Sequence, residues 1–172
     1  ILENQGKLDG IGLEKDLGDN NCSIFVDFNA MQQVLINLIL NAIDATRRKL
    51  DDTQPTIKVG IRREFLQMEP FEVLEINKKI FNPKDFSKEI KPLAKGDPVV
   101  IFYVKDNGCG IDEESRLKIF DPFYTTKEPG AGTGLGLAIS LRTVIFFGGL
   151  FQVESKVNQG SCFNVLLPEL KD

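Results

Sequence analysis

Gly130-Ala131-Gly132-Thr133-Gly134-Leu135-Gly136-Leu137-Ala138-Ile139 sets four glycines at alternate positions directly before an apolar, helically periodic segment. Glycine lets a backbone take positive φ and approach a ligand closely. A helix N-terminus adds unpaired N–H groups and roughly half a positive charge, so the stretch reads as an anion cradle running into a helix. Turns and helix C-caps collect glycine too, and on local grounds they account for such a loop equally well. No Gly-Lys-Ser/Thr closes the loop and no clear strand precedes it, which excludes a Walker A loop and the dinucleotide fingerprint. Its meaning has to come from the rest of the chain.

The chain has 172 residues, 42% hydrophobic and 27% charged, the profile of one globular domain spanning 1–172 with a sizeable core. A formal net charge of −4 with dispersed Lys and Arg argues against nucleic acid or anionic lipid as a partner. Cys22, Cys109 and Cys162 lie far apart and histidine is absent, which argues against structural zinc and excludes a histidine base. Reduced thiols suit a cytoplasmic location. There is no run of eighteen apolar residues and no signal-peptide pattern, a reading that leaves room for a membrane-anchored parent. The first methionine is Met31, and the chain reads as a segment of a longer protein.

Working outward from the glycine loop, the periodic segment from Leu135 to Phe147 ends at Gly148-Gly149, a C-cap and turn. Leu150–Lys156 and Cys162–Leu167 then form a closing hairpin. Upstream, Val99–Lys105 is a β-rich run expected at the centre of a sheet, and Thr56–Arg63 alternates as its neighbour. Phe71–Lys79 reads as a returning strand. The remaining Lys- and Pro-rich residues belong to an insertion at about 66–98, either simply solvated or a partner-docking loop. Leu8–Leu17 and Cys22–Phe28, separated by Gly18-Asp19-Asn20-Asn21, predict an N-terminal hairpin. Asp27 or Asn29 caps a long helix from about Ala30 to Leu50. The sum is an α+β fold, a layer of about three helices on a mixed, mostly antiparallel sheet.

The long helix is apolar on more than one face, yet Gln33, Asn37, Asn41, Asp44 and Arg48 follow one another at helical steps of three and four along a single line. A solvated edge accounts for such a line, but solvated edges favour Lys and Glu. Buried amides left unpaired cost about 1–3 kcal/mol, so Asn37 and Asn41 point to a ligand or metal shell. Asp106-Asn107-Gly108-Cys109-Gly110-Ile111-Asp112 makes a sharp turn with one carboxylate at the exit of the central strand. Asp112 also suits the N-cap of a short helix, Glu113–Ile119. Phe120-Asp121-Pro122-Phe123-Tyr124-Thr125-Thr126-Lys127 then joins core-type aromatics to two hydroxyls and a lysine.

Four motifs in this order resemble the catalytic ATP-binding domain of sensor histidine kinases, within the Bergerat-fold superfamily shared with type II topoisomerases, mismatch-repair clamps and a heat-shock chaperone. Asn37-Leu38-Ile39-Leu40-Asn41-Ala42 is similar to the N box and Asp106 to Gly110 to the first glycine box. Phe120 to Lys127 is similar to the F box and Gly132 to Leu137 to the second glycine box. The resemblance covers about Leu8 to Pro168 and implies a two-layer Bergerat sandwich.

It implies ATP and Mg²⁺ as cofactors, with Asn41 coordinating the metal and Asp106 accepting from the adenine amino group. Gly108 and Gly110 let the backbone pass the base, with Ile111 and Phe120 in the same nucleotide site. Gly132, Thr133, Gly134, Leu135, Gly136 and Leu137 belong to the ATP lid and the helix start behind it. Thr125, Thr126 and Lys127 are placed for phosphate, the lysine acting as a point charge on the transferring group. Asp44 and Arg48 are further nucleotide contacts. The superfamily's hydrolases carry a glutamate where this chain has Asn37, so water attack is expected to be poor, as a phosphotransferase requires, and Asn37 and Lys127 are the expected catalytic residues, with Asn37 also contacting the nucleotide. The implied partners are a histidine-bearing dimerisation domain of the same, homodimeric parent and a response-regulator receiver domain. An ATPase clamp and a non-catalytic nucleotide-gated module are the competing readings.

Overall fold

The computed structural model describes residues 6, 8–18, 21–49, 53–67, 93–128 and 132–170. Among them the elements are β1 (Gly12–Asp16), α1 (Phe28–Arg47), β2 (Thr56–Phe65), β3 (Pro98–Asp106), α2 (Glu113–Arg116), α3 (Gly136–Phe146), β4 (Leu150–Lys156) and β5 (Gly160–Pro168). The strands form one sheet in the order β1-β2-β3-β5-β4, with β3 at its centre as the β-rich run predicts. All pairings are antiparallel except β1 with β2. The α+β sandwich expected from the sequence is the fold observed.

α1 forms because a cap and a stripe agree. Asp27 Oδ1 accepts from the Ala30 N–H at 2.8 Å, satisfying one of the orphan donors of the first turn. Met31, Val34, Leu38, Ala42, Ile43 and Thr46 then recur at helical spacing and are buried. All but Thr46 meet Leu141, Val144 and Ile145 of α3 and, from the sheet, Val104, Phe163, Val165 and Leu167 in one core. Phe120 and Phe151 fill the same core with ring centroids 5.3 Å apart. α1 ends at Arg47 rather than Leu50, and α2 is a single turn capped by Asp112, whose Oδ1 accepts from Ser115 N at 2.8 Å.

The N-terminal hairpin is a correction. β1 lies parallel to β2, Gly12 opposite Thr56 and Asp16 opposite Gly60, while residues 21–27 carry one antiparallel bridge, Ile24 to Glu169. The turn residues before Asn21 are real turn formers, but the free edge of β2 wins the strand. Tyr103 Oη donates to Asp16 Oδ2 at 2.6 Å and Lys58 pairs with the same oxygen at 2.9 Å, pinning the end of β1 against the sheet.

Strand alternation sends the other set of side chains to the reverse face. There Val99, Ile101, Leu150 and Leu166 form a second, smaller cluster with Leu66 and Leu93. Leu66 N donates to Asp97 O and Gly96 N to Leu66 O, closing a stem at the ends of β2 and β3. The predicted strand at Phe71–Lys79 and most of the lysine-rich insertion lie outside the described residues. α3 closes as read: Gly148 takes φ +72°, and the Gly148 and Gly149 N–H groups return to Ile145 O and Val144 O. The last hairpin turns at 157–159, so β5 starts two residues before the predicted Cys162 and brings Ser161 opposite Asp106.

Leu38, 1% exposed at the centre of this core, tests the packing. Leu38→Ala is expected to lower unfolding free energy by about 2–5 kcal/mol, and Asp27→Ala by about 0.5–2 kcal/mol, both read from urea denaturation. Equal, negligible losses would place the stabilising core elsewhere.

Candidate nucleotide site

The site begins where β3 runs out. Asp106 is 4% exposed, and its Oδ1 accepts from the Gly108 N–H at 2.8 Å and the Ser161 N–H at 3.3 Å. Asn107 turns the other way, accepting from Thr56 N and donating to Gln54 O, which fastens the turn to the start of β2. Gly108 has no room for a side chain: a Cβ there would lie 2.5 Å from the carbonyl carbon of Ala45 in α1. Cys109 N donates to Ala45 O at 3.0 Å and Cys109 O accepts from Asn158 N at 2.8 Å. Gly110, at φ +68°, would place a Cβ 2.1 Å from Lys156 O. The turn is thus wedged between α1 and the β4–β5 hairpin.

The polar line on α1 faces this turn. Asn37 accepts from Gln33 Nε2 at 2.9 Å and donates to Gly136 O at 3.3 Å and Ser140 Oγ at 3.2 Å, tying α1 to the first turns of α3. Farther along, Lys127 Nζ pairs with the Asp44 carboxylate and donates to Asn41 Oδ1 at 3.5 Å. Arg48 Nη1 donates to Thr126 Oγ1 at 3.2 Å. Gly134 meets Phe123 backbone to backbone: Phe123 N donates to Gly134 O, and both residues take positive φ.

Between these elements lies a cavity of about 490 Å³. Asn37, Asn41 and Arg48 line it from α1, and Gly110 and Ile111 from the turn. Thr125, Thr126 and Lys127 close one side, and Gly132, Thr133, Gly134, Gly136 and Leu137 another. The sequence reading missed Leu40 and Ala45 of α1, Cys109, Asp112, Ser115, Ile119, Tyr124, Ser161 and Phe163, which also line it. Tyr124 falls inside the aromatic box already quoted, whereas only the β3–β5 register brings Ser161 here.

Five of the expected site residues do not line the cavity. Phe120 packs in the core, Gly108 is pressed against α1, Leu135 is the N-cap of α3, and Asp44 is turned onto Lys127. Asp106 sits beneath the Gly108 and Ser161 backbone and also borders a second, open groove on the reverse face of the sheet. The tip of the glycine loop at 129–131, and with it part of the expected lid, lies outside the described residues.

Burial is the largest influence on Asp106 and pushes its carboxyl above the ordinary carboxylate range, opposed by the two backbone N–H donors. Asp112, an exposed cap, is held below that range by its hydrogen bonds to Ser115. Burial likewise raises the Cys162 thiol. Among the described residues no helix is long and apolar enough to cross a membrane.

A mixed sheet under packed helices is also the fold of known proteins that resemble this chain. The chain belongs to the histidine kinase-, DNA gyrase B- and HSP90-like ATPase family, whose model matches residues 26–171. It is 32% identical to the sensor kinase CckA of Brucella abortus (strain 2308) over 161 residues, 93% of this chain and 15% of that protein. It is 30% identical to sporulation kinase E of Bacillus subtilis (strain 168) over 168 residues, 98% of this chain and 18% of that protein. The chain therefore spans less than a fifth of the length of these relatives. A nucleotide-free form of the catalytic domain of histidine kinase ThkA superposes with a TM-score of 0.64 at 27% identity, covering 98% of this chain and 85% of that one.

The Asp106 shift has a signed consequence. A carboxyl raised in the folded state makes the native protein bind more protons than the unfolded chain between pH 3.8 and the raised value, so its contribution to stability falls as pH rises through that window. Asp106→Asn keeps an acceptor oxygen for Gly108 and Ser161 without the buried charge. Its urea midpoint at pH 7 is expected to equal or exceed that of the parent, the difference closing below about pH 4, near the unpaired carboxylate value. A lower midpoint for the variant at pH 7 would contradict the burial account.

Proposed function

We propose that this domain binds ATP with Mg²⁺ and transfers the γ-phosphoryl group to a histidine on a separate dimerisation domain of its parent protein. The observation carrying the reading is how the polar groups of the cavity divide between its walls. Ser161, whose N–H binds the buried Asp106 carboxylate just beneath the lining, stands on one wall, and Asn41, Arg48, Thr126 and Lys127 gather on another.

Adenine belongs at the first wall, its amino group donating to Asp106, with Gly110 and Ile111 along the base. The phosphates belong at the second, where Thr125, Thr126, Lys127 and Arg48 offer hydroxyl and cationic donors. Asn41 supplies an amide oxygen and Asp44 a carboxylate three residues on, a donor set suited to a hard divalent cation that keeps part of its water shell. Both oxygens already converge on one cationic nitrogen, so the residues present fit such an ion. The metal, when bound, neutralises charge building on the phosphates. Gly132, Thr133, Gly134, Gly136 and Leu137 serve as the mouth and helix-end backing of the site.

Asn37 favours transfer to histidine over transfer to water. An amide is no general base, and this one is committed to Gln33, Gly136 and Ser140. Its contribution is to hold the start of α3 against α1. Downstream, a receiver-domain aspartate is the natural acceptor of a phosphoryl group carried on a homodimeric, cytoplasmically exposed parent.

Calorimetry with ATP·Mg²⁺ tests the adenine end. Replacing the acceptor in Asp106→Asn sets an amide N–H₂ against the adenine amino group, and the loss of about 1–3 kcal/mol predicts ATP binding weaker by about 5- to 150-fold. The parent chain with a histidine-bearing helical hairpin, incubated with γ-labelled ATP, is expected to yield an acid-labile, base-stable phosphoprotein, and Asn41→Ala to suppress it at least tenfold. Rapid release of inorganic phosphate with no phosphoprotein would favour the ATPase clamp.

A further inference from the structure

Lys127 stands where a metal ion is expected. Its ammonium pairs with the Asp44 carboxylate and lies 3.5 Å from Asn41 Oδ1. Those two oxygen-bearing side chains are three residues apart on α1 and so share one helix face. The lysine is not a wandering surface group: its side chain is 24% exposed, and Gly132 presses so near its stem that a Cβ there would stand 2.9 Å from Lys127 Cδ. One residue earlier, Thr126 accepts from Arg48. The 125–127 arm is therefore fastened to α1 at two points one helical turn apart.

An ammonium and a divalent cation ask for the same oxygens, and two such charges a few ångströms apart repel strongly in a partly enclosed site. We propose that Lys127 is the resident cation of the nucleotide-free site, and that a divalent ion takes Asn41 and Asp44 only by displacing it. The displaced ammonium needs a new counter-charge, and phosphate oxygens arriving with the metal provide one. Free metal brings none, since its entry leaves Lys127 unpaired beside a like charge. The site thereby selects metal and nucleotide as a pair and rejects the metal alone. This inference rests on the reading of the Asn41 end as the phosphate end.

Mn²⁺ is the probe, followed by electron paramagnetic resonance on the whole chain without nucleotide. The expected result is weak Mn²⁺ binding by the parent, at least tenfold tighter binding by Lys127→Met, and loss of that gain when Asp44→Asn is added. Lys127→Arg keeps a cation in place and is expected to behave like the parent. Near-ultraviolet circular dichroism of each variant confirms that folding is retained. Lys127→Met binding Mn²⁺ no tighter than the parent overturns the proposal, as does a gain that survives Asp44→Asn. Calorimetry of the parent with ATP·Mg²⁺ separates the two levels: ATP bound with Mn²⁺ affinity unmoved by Lys127→Met refutes only the displacement, whereas no ATP binding at all refutes the reading beneath it.

Discussion

The close approach of the Asp106–Gly110 turn to the C-terminal half of α1 is the constraint on which the rest of the site depends. Side chains cannot occupy the gap, because the backbone of Ala45 lies where a Gly108 Cβ would be, and Lys156 O where a Gly110 Cβ would be. Two glycines let the end of the central strand slide between a helix and a hairpin, and Cys109 bonds to both walls. Asn41 and Arg48 are consequently brought beside the end of β3, although they are far from it along the chain. A bulkier residue at Gly108 would push α1 away from the turn, and one at Gly110 would push away the β4–β5 hairpin.

Seen this way the core and the site are not independent. Leu38, Ala42 and Ile43 bury one side of α1 against the sheet and α3, while Asn37, Asn41 and Asp44 line another side of the same turns. Each apolar contact that seats the helix also sets the height of an amide or carboxylate over the cavity. Asn37 shows the coupling at its strongest, since its amide spans from Gln33 to Gly136 and Ser140 and so fixes the distance between the two helices.

Much of this was legible in the sequence because the chemistry is written in local runs. The line of polar residues on an apolar helix, the strand ending in a carboxylate and glycines, and the glycine loop before α3 each predict their element from neighbouring residues alone. What was not legible depends on chain segments meeting at a distance. β1 has perfectly good hairpin signals after it, yet it pairs in parallel with β2, because an open strand edge and the Tyr103 and Lys58 contacts to Asp16 decide the matter. Ser161 carries no local mark at all; only the antiparallel register that sets it opposite Asp106 brings its N–H to that carboxylate. The pairing of Lys127 with Asp44 joins residues from two separate motifs, and neither motif by itself foretells it.

The stem at the ends of β2 and β3 decides what the fold has to spend on the chain between them. Leu66 donates its N–H to Asp97 O and accepts from Gly96 N, and Leu66 and Leu93 anchor on the sheet face turned away from the cavity. Lengthening a loop beyond a closed stem adds only a slowly growing entropy cost. The stem is therefore a place where chain of almost any length is closed at small cost, its anchors resting on the face of the sheet that the cavity does not use.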